Sequence, residues 1–210
     1  MILIGQYDSP FVRRVGIALT LYGLPFEHRP WSVFGDMEKI QPFNPLIRVP
    51  TLVLDNGEVL IESHSILDYL DSLMPAELRL FPVAELARHQ SALKIAGLFA
   101  TGLGVRRQPI LRKAAASGDI GGLGRNPLPA MQIAGKAAVF LEADRAAERA
   151  ITGSMLAHRH ADIAVAAVLR SAKHRGLVAM ADFPALGAHA AKLEGLPVFQ
   201  AISQPFIAPA

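Results

Sequence analysis

The chain contains no cysteine in 210 residues. That absence excludes disulfides, thiolate-bound metals, and redox or nucleophilic chemistry run on a protein sulfur. Charge is sparse as well: 19% of residues are charged and the formal net charge is only +3, although the isoelectric point is about 9.4. The basic residues are scattered, apart from a small cluster at Arg106, Arg107, Arg112 and Lys113. A nucleic-acid reader gathers more charge and interleaves it with aromatics, so no nucleic-acid partner is expected. The cluster reads as a solvated helix end or loop, or as a counter-surface for an anionic ligand. Long apolar runs are missing too. The longest, such as Ile95 to Val105, fall far short of the roughly 20 residues that span a bilayer. Without a basic N-terminal segment and cleavable apolar core, the reading is a soluble cytoplasmic protein with no membrane partner.

What is present is a core-forming composition, 51% apolar, on a length that suits one large domain or two modest ones. The first 80 residues alternate strand and helix signals. Met1–Ile4 is a short apolar strand, and Ser9-Pro10 starts a helix, with serine at the cap and proline at the first helical position. Val12, Val15, Ile17, Ala18, Leu19 and Leu21 face its core, and Gly23 and Pro25 stop it. Phe26–Pro30 reads as a second strand. Gly35, Pro42 and Pro45 break the stretch from Trp31 to Ile47, leaving room for one short helix. Strands at Thr51–Leu54 and Val59–Ile61 are joined by the hairpin turn Asp55-Asn56-Gly57, and a helix follows from about Ser63 to Met74. This order is that of a thioredoxin-like α/β unit.

Beyond the prolines at 75 and 82 the sequence is alanine-rich and helical. Helices are expected at about 84–104, 128–149, 161–175 and 184–194, with a short one from Pro197; Asp182-Phe183-Pro184 gives the fourth a cap-like start. Four glycines and two prolines make 118–129 a loop. The expected architecture is therefore α/β plus all-α: a thioredoxin-like domain over 1–76, a linker over 77–84, and a helical bundle over 85–210.

Three places in the front domain carry chemistry. Ser9 stands where a strand hands over to a helix; its hydroxyl, beside the free N–H groups and positive dipole end, is placed to hydrogen-bond a bound thiolate, or simply to cap the helix. Lowering a thiol of pKa about 8.5 by two units needs only about 2.7 kcal/mol. Pro50 heads a strand, where its missing N–H is tolerated. Either the Val49-Pro50 bond is cis and turns the Val49 backbone toward a peptide-like ligand, or a trans proline begins an edge strand. Glu62-Ser63 opens the next helix: serine and neighbouring N–H groups suit a carboxylate and the glutamate an ammonium, or the pair is a cap beside a solvated acid.

Ser9-Pro10-Phe11-Val12-Arg13-Arg14-Val15, Asn44-Pro45 with Arg48-Val49-Pro50-Thr51-Leu52, and Glu62-Ser63-His64-Ser65-Ile66-Leu67 succeed one another at set separations. In this combination the chain resembles the glutathione transferase family. Phe140-Leu141-Glu142, Ala161-Asp162-Ile163-Ala164 and Phe183-Pro184-Ala185-Leu186 continue the likeness through the helical half. The resemblance implies that Ser9 stabilises the glutathione thiolate, with Tyr7 as the alternative. It implies that Val49, before a cis Pro50, pairs with the cysteinyl backbone. Glu62 and Ser63 would then hold the γ-glutamyl end and Arg48 the glycine carboxylate. A second-substrate pocket would draw on Phe11, Phe34 and Leu103, with Arg106 or Arg107 meeting an anionic group. The implied protein is a homodimeric detoxifying transferase that uses glutathione as cosubstrate, needs no metal, and attacks a small hydrophobic electrophile.

Other readings remain: a non-catalytic binding protein on the same fold, or a specialised glutathione-dependent isomerase, dehalogenase or peroxidase. The doubled-serine and cysteine motif of the isomerase branch is absent. The family also places serine or threonine three residues before the aspartate matched by Asp162, where this chain has Arg159. Loss of that cap hydroxyl predicts a helix start weaker by about 1 kcal/mol unless compensated. The histidines show no metal spacing and read as ordinary polar residues.

Overall fold

The computed structural model describes residues 1–81, 90, 93–95, 130–147, 160–174 and 178–206. Leu103, Arg106, Arg107, Arg112, Lys113, Arg159, the 118–129 loop and most of the helix expected over 84–104 lie outside them.

Four short strands form one sheet: β1 (Ile2–Ile4), β2 (Glu27–Arg29), β3 (Thr51–Val53) and β4 (Val59–Ile61), in the order β2-β1-β3-β4. β1 and β2 are parallel because α1 (Pro10–Leu21) crosses over between them, while β3 runs antiparallel to β1 and β4 antiparallel to β3. One row of the sheet aligns three strand ends: Ile4 pairs with Thr51, and Thr51 pairs with Ile61. The chain leaving β1, the chain entering β3 and the chain leaving β4 thus meet at the same end of the sheet.

α1 starts at Pro10, whose absent N–H would have had no intrahelical acceptor. It stops where Gly23 takes the left-handed conformation (φ +66°) and the N–H groups of Gly23 and Leu24 turn back to the carbonyls of Thr20 and Leu19. Between these ends Val12 to Leu19 are all buried, on every face. A helix without a wet side has packed layers on both sides. Here they are the sheet with α3 (Ser63–Ser72) beneath, and α5 (His160–His174) above. One apolar core accordingly joins Leu3, Val15, Leu52 and Leu70 of the front unit to Ile163, Phe199 and Ile202 of the helical part. A smaller cluster on the other sheet face gathers Ile4, Ile40 and Val53.

The remaining elements are α2 (Met37–Ile40), α4 (Ala130–Ala146), α6 (Pro184–Glu194) and α7 (Pro197–Ala201). Two expectations about helix starts are corrected. Asp182 does not cap α6: Phe183 occupies the cap position without a side-chain bond, and the Glu142 carboxylate, reaching from α4, accepts the Ala185 and Leu186 N–H groups at 2.9 and 2.8 Å. Two histidines, His160 and His189, are not ordinary polar residues but buried ones. His189 on α6 is buried with its Nε2 3.2 Å from Asp162 Oδ1, so the helix that lacks the cap hydroxyl has an imidazole beside its first-turn carboxylate. His160 is buried where α5, α3 and the connecting chain meet.

Candidate functional site

The row Ile4–Thr51–Ile61 places the three chemical segments. Gly5 to Ser9 leaves β1, Val49-Pro50 enters β3, and Glu62-Ser63 leaves β4, so residues far apart in sequence share one sheet end.

Ser9 occupies the cap position of α1 with extended backbone (φ −74°, ψ 118°), and its carbonyl accepts the Arg13 N–H at 2.9 Å. Its hydroxyl makes no capping bond, which removes the reading of Ser9 as a simple side-chain cap. The residue is 9% exposed at a helix start where first-turn N–H groups lack intrahelical acceptors. Tyr7, the alternative, is turned into the core. Its ring stacks on His28 at 3.9 Å, and the Gly16 Cα lies so close that an added Cβ would stand 2.9 Å from Tyr7 Cε1. Burial pushes the Tyr7 phenol up to about 12.

The Val49-Pro50 peptide bond is cis. Its approach is held by Asn44, which is fully buried: Nδ2 donates to the Arg48 carbonyl and to Thr51 Oγ1, both at 3.0 Å, and Oδ1 accepts the Leu46 N–H. Thr51 Oγ1 donates to the same Arg48 carbonyl at 2.8 Å. The Val49 side chain lies against Gly5, where an added Cβ would come within 2.8 Å of Val49 Cβ; Gly5 also has φ +130°. The glycine is needed both for the close approach and for the backbone conformation. The Arg48 side chain is exposed.

Glu62 is a non-glycine residue at φ +70°, a conformation that costs of order 1–3 kcal/mol and concentrates at functional sites. It caps α3 by accepting the His64 N–H, while the Ser63 hydroxyl donates to its Oε1 at 3.1 Å. Ser63 itself is fully buried, so its hydroxyl is not simply presented outward. Arg14, buried on α1, donates to Ser63 Oγ at 2.9 Å. Desolvation lowers the Arg14 guanidinium to about 10, with the Glu62 charge acting against that fall. Sequence reasoning gave Arg14 no role. Its signal was an arginine pair inside a helix whose every other face is apolar, a position where at least one guanidinium must be buried and partnered.

The second-substrate residues are not brought together by the described structure. Phe11 packs against the cluster of Ala164 and Ala167 on α5, whereas Phe34 is 48% exposed on the chain between β2 and α2 and takes no part in that cluster. Among the described residues no group of three His, Cys, Asp or Glu side chains could hold a metal ion, and no helix is long and apolar enough to cross a membrane.

Residues 3–77 match the model of the glutathione S-transferase N-terminal domain. The uncharacterized GST-like protein YibF of Escherichia coli K12 is 34% identical over 111 residues, 51% of this chain and 55% of YibF. Maleylacetoacetate isomerase of Pseudomonas aeruginosa PAO1 is 41% identical over 80 residues, 36% of this chain and 38% of the isomerase. The chain spans about half or less of the length of the curated relatives it matches. A glutathione transferase family member from Pseudomonas fluorescens Pf-5, solved with bound glutathione, is 26% identical with a TM-score of 0.73, covering 98% of this chain and 99% of that one. The front part of the chain, residues 3–77, is thus matched by the family's own model of the glutathione S-transferase N-terminal domain, and nearly the full length lays over a structure of a glutathione transferase family member.

Proposed function

We propose that the protein is a glutathione transferase in which Ser9 stabilises the thiolate of bound glutathione for attack on a hydrophobic electrophile. The observation that carries this reading is the row Ile4–Thr51–Ile61, which sets Ser9, Val49 and Glu62-Ser63 at one end of the sheet. In the proposed complex the Val49 backbone pairs with the cysteinyl unit, Glu62 meets the α-ammonium, and Arg48 reaches the glycine carboxylate. The Ser63 oxygen is held by Arg14, so the hydroxyl proton must point elsewhere; it turns from Glu62 to the ligand carboxylate.

The chemistry asked of the protein is modest. The thiol gives its proton to water, and the thiolate is favoured by the Ser9 hydroxyl and the N-terminus of α1. Sulfur then forms the new bond to the electrophile, whose leaving group takes the displaced electron pair. The enzyme supplies orientation and electrostatics, and the nucleophile belongs to glutathione. The family likeness supports the rest of the proposal: a cytoplasmic homodimer acting in detoxification, with Phe11 on the second-substrate side. The likeness to maleylacetoacetate isomerase favours a second reading, glutathione-dependent isomerisation at the same site.

The test is turnover of glutathione with an activated aryl halide. Ser9→Ala lowers kcat/KM by roughly tenfold to a hundredfold, the worth of one hydrogen bond to a charged group, and Tyr7→Phe leaves it in place. Activity lost with Tyr7→Phe and kept with Ser9→Ala contradicts the assignment. Activity on maleyl substrates alone moves it to the isomerase reading.

A further inference from the structure

The turn that carries Ser9 is anchored from the far end of the chain. Tyr7 N–H donates to Gln204 Oε1 at 2.8 Å, a contact between residues 197 positions apart. Gln204 is itself held at both sides: its carbonyl accepts from Arg170 Nη2 of α5 at 2.7 Å, and two residues earlier the Ile202 carbonyl accepts from Arg13 Nε at 2.8 Å. Arg170 also lies over the Phe206 ring at 4.9 Å, which fixes the tail beyond Gln204.

On the loop side the coupling is short. Ser9 N–H donates to the Gln6 carbonyl at 3.1 Å, so Gln6 to Ser9 is one hydrogen-bonded turn with Tyr7 inside it. The Tyr7 ring is clamped by His28 and Gly16, which fixes the side chain, and the peptide plane of residues 6 and 7 is held on its carbonyl side by the Ser9 N–H. The Gln204 acceptor holds the amide side of the same plane. Without it the Tyr7 N–H is a part-buried donor with no partner, and the turn rotates to find one.

We propose that Gln204 is a positioning residue for the thiol site: through the Tyr7 amide it sets the orientation of the Gln6–Ser9 turn, and so the aim of the Ser9 hydroxyl. This rests on the transferase reading of the site. The segment that carries Gln204 is then part of the active-site apparatus, acting through the Tyr7 amide.

The experiment compares wild type, Gln204→Leu, which deletes the acceptor, and Gln204→Glu, which keeps it. The thiolate absorbance of bound glutathione is followed against pH, and thermal unfolding is recorded beside it. Expected is a rise of roughly 0.5–1 unit in the bound-thiol pKa for Gln204→Leu, with protection of the Tyr7 N–H from exchange lost in Gln204→Leu and kept in Gln204→Glu. An unchanged profile in Gln204→Leu overturns the proposal, as does loss of Tyr7 protection in both variants. Amide exchange in the wild-type protein stands independently of how the variants fold: Tyr7 N–H must be protected like its core neighbours, and free exchange there overturns the anchor. Wild type that binds glutathione without lowering its thiol overturns the transferase reading itself. A lowered thiol that Gln204→Leu leaves in place overturns only the role of Gln204.

Discussion

Arg13 of α1 grips Glu194 at the end of α6 with both terminal nitrogens, at 2.5 and 2.7 Å, and the same guanidinium donates to the carbonyls of Ile202 and Phe199. A buried charge with this many partners is costly to break from one side, because what remains is left desolvated and unpaired. Arg13→Met is expected to destabilise the protein by about 3 kcal/mol or more. Glu194→Gln keeps one acceptor on a side chain that is partly solvated, and is expected to cost about half as much. Urea unfolding of the two variants checks both the size and the order.

Gly16 and Gly187 predict opposite outcomes for the same substitution. Alanine in place of glycine favours a helix interior by about 1 kcal/mol. At Gly16 of α1, however, the new methyl would stand 2.9 Å from both Ile202 Cγ2 and the Tyr7 ring. Overpacking of that kind costs about 1–3 kcal/mol, so Gly16→Ala is expected to be net destabilising. At Gly187 of α6 the nearest atom is Met180 Cε at 3.7 Å, an ordinary contact, and Gly187→Ala is expected to stabilise. Thermal unfolding midpoints moving in opposite directions are the check.

The groups around the start of α5 make stability depend on acid. Burial lowers the His160 imidazole below its usual value, and Asp71, 3.4 Å away but outside hydrogen-bonding geometry, offsets this only in part. A histidine with a depressed folded pKa binds fewer protons folded than unfolded. Its contribution is therefore complete above about pH 6.5 and is lost as pH falls toward its folded value. Burial also acts to raise Asp71, but contact with His160 and hydrogen bonds from Tyr22 and the Leu80 N–H outweigh it, leaving the carboxyl below its usual value. Stability from Asp71 is present above the ordinary aspartate range and is lost at still lower pH. Unfolding free energy is expected to decline from about pH 6.5 downward, and His160→Gln to remove the upper part of that decline. A flat profile between pH 5 and 7 contradicts the assignment.

Much of this was legible in the sequence wherever the cause is local. The hairpin at Asp55-Asn56-Gly57, the end of α1 at Gly23 and the three candidate site segments each arise from a few neighbouring residues, and the structure brings those segments to one end of the sheet. What sequence reasoning missed is held by distant partners. The cap of α6 comes from Glu142, 43 positions before Ala185, where Asp182 next door looked sufficient. The partners of Asp162, Asp71 and Tyr7 include His189, His160 and Gln204, and no spacing rule connects them. The two arginines of α1 read as part of a motif, and both are buried because the helix is covered on both sides, although the pair in an otherwise apolar helix already signals one buried guanidinium.

Ser9, whose hydroxyl makes no capping bond to α1, is expected to stabilise a bound thiolate. That role is tested most directly by titrating the thiolate absorbance of glutathione bound to the wild-type protein and to Ser9→Ala. Expected is a bound thiol at least one unit below the free value of about 8.5, returning upward by roughly 1–2 units in Ser9→Ala. Glutathione bound with its thiol at the free value, or an unchanged profile in Ser9→Ala, would contradict it.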